Sequence, residues 1–150
     1  MSNSIGTPLR EADQRAGYEY FAEITTRWMD NDIYGHVNNV VYYSYFDSVA
    51  NQFLIERGGL DIQTAEVIGF VVASSCQYKS PVAYPELLDA GFRVNRLGNS
   101  SVEYGIGIFK RGQQSASAYG TFTHVFVDRA TDQAVPIPAQ IRAALEAVRI

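Results

Sequence analysis

The sequence predicts an α+β domain in which a curled antiparallel sheet of five to six strands wraps one long central helix. Three observations predict it. One apolar helix pattern runs from Val40 to Arg57, strand-like runs follow it joined by short turns, and 150 residues are enough to bury a core. Short turns make antiparallel neighbours of the strands they join. A helix with a broad apolar face must then cover one side of that sheet.

Taken in order, residues 1–17 are polar and patternless and read as a flexible N-terminal arm, with a single domain over 18–150. Tyr18 to Met29 is rich in aromatic and β-branched residues and reads as a strand. In the helix, Tyr42, Tyr45, Phe46, Val49 and Phe53 fall on one face, while Ser44, Asp47, Ser48 and Asn51 lie largely opposite. Gly58-Gly59 supplies the left-handed stop. Leu60 to Glu66 is a connection. Ile68 to Tyr78 is a strand ended by Pro81, which cannot donate to a ladder, and Leu87 to Leu97 is the next.

Gly98-Asn99-Ser100 is a hairpin turn. In the strand that follows it, Val102, Tyr104, Ile106 and Ile108 alternate with Glu103, Gly105, Gly107 and Phe109. Two glycines on one strand face predict a bulky neighbour there, and the central helix is the natural candidate. Ala116 to Asp128 is a further strand, with Phe122, His124 and Phe126 on one face. A short strand ending in Pro136-Ile137-Pro138 and an amphipathic helix over Ala139–Val148 complete the chain.

The formal charge of −4 and pI near 5.1 give no sign of a nucleic-acid or anionic-membrane partner. Cys76 is the single cysteine, so no internal disulfide can form, which fits a reducing compartment. No apolar run reaches membrane-spanning length and no signal-peptide core is present, so no membrane insertion is expected and the expected location is the cytoplasm. The aromatic content (ten Tyr and eight Phe) exceeds what a minimal core needs and suits an apolar pocket or an oligomer interface.

The chemistry concentrates where strand gives way to helix, in Arg27-Trp28-Met29-Asp30-Asn31-Asp32-Ile33-Tyr34-Gly35-His36-Val37-Asn38-Asn39. Asp, Asn and Gly are turn formers, and Asn caps helices. Carboxylates just ahead of a buried helix bring a base or nucleophile close to unpaired N–H donors, a pairing suited to chemistry at a carbonyl. On pattern alone Asp30 and Asp32 read first as turn or cap residues, as Asp in such places usually is.

The pattern Arg27-Trp28-x-Asp30-x-Asp32-x-x-Gly35-His36-Val37-Asn38-Asn39-x-x-Tyr42-x-x-Tyr45 resembles the signature of hotdog-fold acyl-CoA thioesterases of the 4-hydroxybenzoyl-CoA thioesterase family. Val125-Phe126-Val127-Asp128 and Val135-Pro136-Ile137-Pro138 resemble the last strands of that family. The resemblance implies a hotdog protomer that pairs sheet to sheet as a homodimer or homotetramer, with active sites at the dimer seam. It implies Asp32 as nucleophile or general base and the backbone N–H near Asn39 as the donor that polarises the thioester carbonyl. The turn Ile33-Tyr34-Gly35-His36-Val37 departs from the version found in members acting on hydroxybenzoyl substrates, which leans toward broader acyl-CoA hydrolysis.

On this reading Asp30 braces the turn or meets Arg27, and His36 supports the site. Gly35, Asn38, Tyr42, Tyr45 and Phe70 shape the substrate pocket, the last three beside the acyl chain. Coenzyme A enters as part of the substrate, and its phosphates require cations. Lys79 and Arg111 are the candidates carried forward, with Arg93, Arg96 and Lys110 also near strand ends. No other cofactor is expected. Asp30, Asp32 and His36 fall short of a metal site, because the other histidine lies far along the chain. His124 reads as a satisfied core or interface residue, Cys76 as a small core residue, and no Gly-x-Ser-x-Gly elbow supports a serine hydrolase. The rival functions are hydrolysis of acyl groups on acyl carrier protein, a hotdog dehydratase, or a non-catalytic acyl-CoA-binding module.

Overall fold

The computed structural model describes residues 11–150. Its strands are β1 (Tyr20–Thr25), β2 (Val67–Tyr78), β3 (Leu87–Leu97), β4 (Ser101–Lys110) and β5 (Ala118–Asp128). The helices are α1 (Val41–Glu56) and α2 (Ala139–Glu146). All five strands form one antiparallel sheet in the order β1-β3-β4-β5-β2. β3, β4 and β5 are successive hairpin neighbours, whereas β1 and β2 occupy opposite edges. The chain must therefore cross the sheet between β1 and β2, and α1 is the element that crosses it.

The apolar face of α1 meets the sheet as the periodicity predicts. Tyr42, Tyr45, Phe46, Val49, Ala50, Phe53 and Leu54 are buried in a core shared with Phe92, Tyr104, Ile106 and Ile108. Phe53 stacks on Phe92 at 4.6 Å and takes the edge of Tyr20 at 5.0 Å. The helix ends where Gly58 N–H and Leu60 N–H return to the carbonyls of Phe53 and Leu54, and Gly59 adopts φ 71°. β2 lies on the edge and stays largely exposed along its length.

Three expectations change. The bulky neighbour of Gly105 and Gly107 is on the outer face of the sheet. A Cβ at Gly105 would lie 2.9 Å from Arg93 Nε, and one at Gly107 would lie 3.0 Å from the Tyr18 ring. The alternation Val102-Tyr104-Ile106-Ile108 takes the helix side instead, so the glycines face away from α1. The segment ending in Pro138 is no strand: it makes one isolated bridge, Ala134 to Val127. Of the arm expected over residues 1–17, residues 1–10 lie outside the described residues. Residues 11–17 are tied down by Arg15 N–H to Gln114 O (2.8 Å), Ala116 N–H to Asp13 O (2.9 Å) and Tyr18 O–H to Ala12 O (2.6 Å).

His124 is a core residue, 1% exposed, and its Nδ1 meets the Tyr104 hydroxyl at 2.9 Å. Burial among Phe122, Phe126 and Tyr104 pushes its pKa down to about 4. Gly69 on β2 makes room for the ring, since a Cβ there would lie 2.9 Å from Nδ1.

Candidate active site

The β1–α1 connection is built on Asp30, which is 1% exposed. A 3-10 turn over Trp28–Asp30 is closed in both directions, Arg27 N–H donating to Asp30 Oδ2 (3.0 Å) and Asp30 N–H to Arg27 O (2.9 Å). Arg27 Nε and Nη2 donate to Oδ1 at 3.0 and 2.8 Å, and the Tyr45 hydroxyl reaches up from α1 to Oδ2 at 2.8 Å. Burial by itself would favour the neutral acid. The hydrogen bonds from Arg27 and Tyr45 outweigh it and hold the carboxyl below its ordinary pKa. The Asp30 carbonyl accepts Asn38 N–H at 2.9 Å. One buried residue thus fixes both ends of the loop to the helix.

Asp32 heads the exposed turn between those ends. Its N–H donates to His36 O (2.8 Å), its carbonyl accepts Gly35 N–H (3.0 Å), and its Oδ1 accepts Tyr34 N–H (2.9 Å). Gly35 sits at φ 83°, which only glycine adopts without strain, and no heavy atom lies within 4 Å of a Cβ built there. Val37 closes the loop by bridging to Asn31 and donating to Val82 O at 2.8 Å, with its side chain buried.

After the turn, Asn38 Oδ1 accepts Val40 N–H (3.1 Å) and Asn38 O accepts Val41 N–H (2.9 Å), starting α1. Asn39 N–H has no hydrogen-bond partner among the described residues, while its carbonyl accepts the Tyr78 hydroxyl at 3.1 Å. Asp32, Asn39, Tyr42, Tyr78 and Lys79 line one open groove of about 430 Å³, together with Val37, Ser80 and Pro81. Tyr42 is buried at its base, edge-on to Tyr78 at 5.2 Å, and burial pushes its hydroxyl up to about 12. A carbonyl bound here would meet a carboxylate and an unpaired N–H from one groove, the requirement for attack at a thioester.

The structure brings Asp32, Asn39, Tyr42 and Lys79 together and sorts the other expected residues elsewhere. Tyr45 faces the core and serves Asp30 rather than a substrate. Asn38 is spent on the helix start. His36 braces the turn through its carbonyl; its exposed ring makes no hydrogen bond among the described residues. Phe70 lies toward the start of β2, at the far end from Tyr78, and is not part of the lining of the groove that holds Asp32 and Asn39.

The cations divide likewise. Arg111 is held by Glu23 (2.6 Å) and Asp89 (3.2 Å), Lys110 pairs with Glu86 (3.7 Å) and Arg96 with Glu103 (3.5 Å). Arg93 is buried against the Tyr18 ring, with Nη1 on Gly17 O at 3.1 Å. Lys79 reaches the groove while pairing with Asp13 at 3.2 Å. No cluster of three or more His, Cys, Asp or Glu able to hold a metal occurs among the described residues, and no helix there is long and apolar enough to cross a membrane.

Sequence reasoning missed Tyr78 and the Ser80-Pro81 wall. The available signal was the run Tyr78-Lys79-Ser80-Pro81 at a strand end, but its arrival beside Asn39 depends on the pairing of distant strands.

The profile of the thioesterase-like superfamily matches residues 26–145. The chain is similar to the long-chain acyl-CoA thioesterase FadM of Escherichia coli strain K12, 28% identical over 127 residues that cover 83% of this chain and 95% of that protein. It is similar to the crystal structure of the PA5185 protein of Pseudomonas aeruginosa strain PAO1, with a TM-score of 0.90 and 56% identity over 91% of this chain and 96% of that one. Slr0204 of Synechocystis, a 1,4-dihydroxy-2-naphthoyl-CoA thioesterase, shares the fold: TM-score 0.75 at 15% identity, covering 84% and 94% of the two chains.

Proposed function

The chain belongs to the thioesterase-like superfamily, and from that membership we propose how its own residues carry the reaction. It is a hotdog-fold acyl-CoA thioesterase, releasing free acid and coenzyme A. The observation that supports the site is the convergence of the Asp32 carboxylate and the unpartnered Asn39 N–H on one groove. The substrate carbonyl lies between them. Asp32 either takes the proton of a water that attacks the carbonyl carbon, or attacks that carbon itself to give an acyl–aspartyl anhydride that water then hydrolyses. In both cases negative charge gathers on the carbonyl oxygen against Asn39 N–H and the thiolate of coenzyme A departs. The N-terminus of α1 adds its partial positive charge on the same side. Val41 N–H fixes the Asn38–Asn39 peptide by donating to Asn38 O at 2.9 Å, which aims Asn39 N–H in the opposite direction, while Tyr78 holds the next carbonyl along.

Asp30, Arg27 and Tyr45 position this machinery, and His36, Gly35 and Asn38 shape its turn. Lys79 is the cation closest to serving the pantetheine or phosphate end of coenzyme A, since it alone among the expected cations lines the groove. No resident cofactor or metal is invoked. The location we propose is the cytoplasm, consistent with a lone Cys76 whose thiol burial pushes up to about 11, away from the reactive thiolate.

The working unit we propose is a homodimer, or a homotetramer built from it. β2 is an edge strand of twelve residues with exposed Phe70, Val71, Val72 and Tyr78. A long apolar edge is a template for pairing with another strand, and soluble chains usually blunt it with charge or proline. β2 has neither, so a second β2 is the natural cover. Sedimentation equilibrium that reads a monomer at micromolar protein would overturn this.

The reaction is tested by release of free thiol from an acyl-CoA panel by the wild type and Asp32→Ala in parallel. Turnover that disappears with Asp32 supports the assignment. Equal turnover in both proteins means another carboxylate acts, and coenzyme A ligands that bind without turnover move the protein to the non-catalytic reading.

A further inference from the structure

Asp32 lines a second groove, of about 560 Å³, formed with Trp28, Met29, Asn31, Ile33 and Gly35. The two grooves meet at Asp32 and differ in chemistry. The first mixes the hydrogen-bonding groups of Asn39, Tyr78, Lys79 and Ser80 with apolar walls from Val37, Tyr42 and Pro81. The second carries three large apolar side chains left in water, with Trp28 75%, Met29 73% and Ile33 94% exposed. Clustered exposed apolar groups of this kind mark a binding surface, and single surface hydrophobes do not explain three in six residues.

The groove is built on a fixed base. The Trp28 ring stands edge-on to Tyr84 at 6.0 Å, Tyr84 N–H donates to Asn31 Oδ1 at 3.0 Å, and the 3-10 turn beneath is pinned by buried Asp30. A thioester carbonyl held at Asp32 has two substituents, the sulfur of coenzyme A and the acyl carbon, which leave it in divergent directions. The groove with Lys79 offers the amide- and phosphate-binding groups that the pantetheine arm needs, so the acyl group is left the one whose large side chains are all apolar.

We propose that Trp28, Met29 and Ile33 form the acyl subsite and select thioesters of extended apolar acyl groups over short ones. This rests on the acyl-CoA thioesterase reading and adds to it the residues that read chain length. Met29 suits the task because its unbranched side chain adapts to varied apolar shapes.

The test measures kcat/KM for acetyl-CoA, hexanoyl-CoA and dodecanoyl-CoA with the wild type, Trp28→Ala, Met29→Ala and Asp32→Ala. Wild-type kcat/KM should rise with chain length by up to about fourfold per methylene that enters the groove. The ratio of dodecanoyl to acetyl turnover should fall about tenfold in Trp28→Ala and several-fold in Met29→Ala, on the same apolar-burial scale. All three side chains are exposed, so melting temperature should stay near wild type and separate lost selectivity from lost folding. An unchanged ratio in both groove variants, with Asp32→Ala inactive, overturns this inference and leaves the thioesterase reading standing. A wild type inactive on every thioester overturns both. An unchanged ratio accompanied by a smaller oligomer in Trp28→Ala overturns the acyl subsite and assigns the surface to a second copy of the chain.

Discussion

Tyr45→Phe is the sharpest perturbation of the loop, because it removes one hydroxyl and leaves the ring. Tyr45 is buried, and its O–H donates to Asp30 Oδ2 at 2.8 Å, so the substitution creates almost no cavity but deletes a hydrogen bond to a buried charge. Such bonds contribute about 1.5–3 kcal/mol. Three Arg27 donors remain on Asp30, which favours the lower part of that range, about 2 kcal/mol. For a domain of this length the melting temperature should fall roughly 4–8 °C.

The same bond also anchors the segment that carries Asn39, since Asp30 O holds Asn38 N–H. Loosening it should misplace the donor against Asp32 and lower kcat about tenfold while KM barely moves, within the up to 10²-fold loss that a misplacement of about 1 Å can bring. Calorimetry and thiol-release kinetics on the same preparation check both halves. An unchanged melting temperature and kcat would refute the reasoning, as would a loss confined to KM. Linkage adds a sign. Asp30 is held below its ordinary pKa, so its stabilisation is present above about pH 4 and disappears as pH falls below that. Tyr45→Phe should therefore lose less stability than the wild type on acidification through that range.

His124 sets a second pH dependence. Its pKa in the fold is about 4 against about 6.5 unfolded, so the unfolded chain binds the extra proton between those values and stability falls as pH drops through them. The single-site difference between pH 7 and pH 5 is roughly 2 kcal/mol, and urea midpoints of His124→Phe should show a correspondingly smaller drop; an equal drop would mean that other groups cause it. Asp32→Asn should lower kcat by about 10²–10⁴ as a lost base or more as a lost nucleophile, with melting temperature within a few degrees of wild type. Val71→Lys places a charge on the β2 edge and should shift the species in sedimentation toward monomer, whereas an unaltered oligomer would relocate the interface.

Local sequence determined a large part of this protein. The period of Tyr42, Tyr45, Phe46, Val49 and Phe53 fixed which face of α1 is buried, because a helix repeats its faces whatever it packs against. The turn residues around Asp32 and Gly35 fixed the loop, because Asp–backbone hydrogen bonds and a positive φ are local properties. Signals that depend on which face of the sheet a residue takes were not legible. Gly105 and Gly107 announced a close neighbour, but only strand pairing turned them outward to Tyr18 and Arg93. Tyr45 was equally placed by period to touch substrate or core, and the rotation of α1 against the sheet gave it to Asp30. Phe70 and Tyr78 belong to one strand, yet the length of β2 separates them and leaves only Tyr78 beside Asn39. Sequence sets what each element can offer within its own few turns. Which offers meet at one groove is decided by long-range pairing, since contacts between residues tens of positions apart have no local signature.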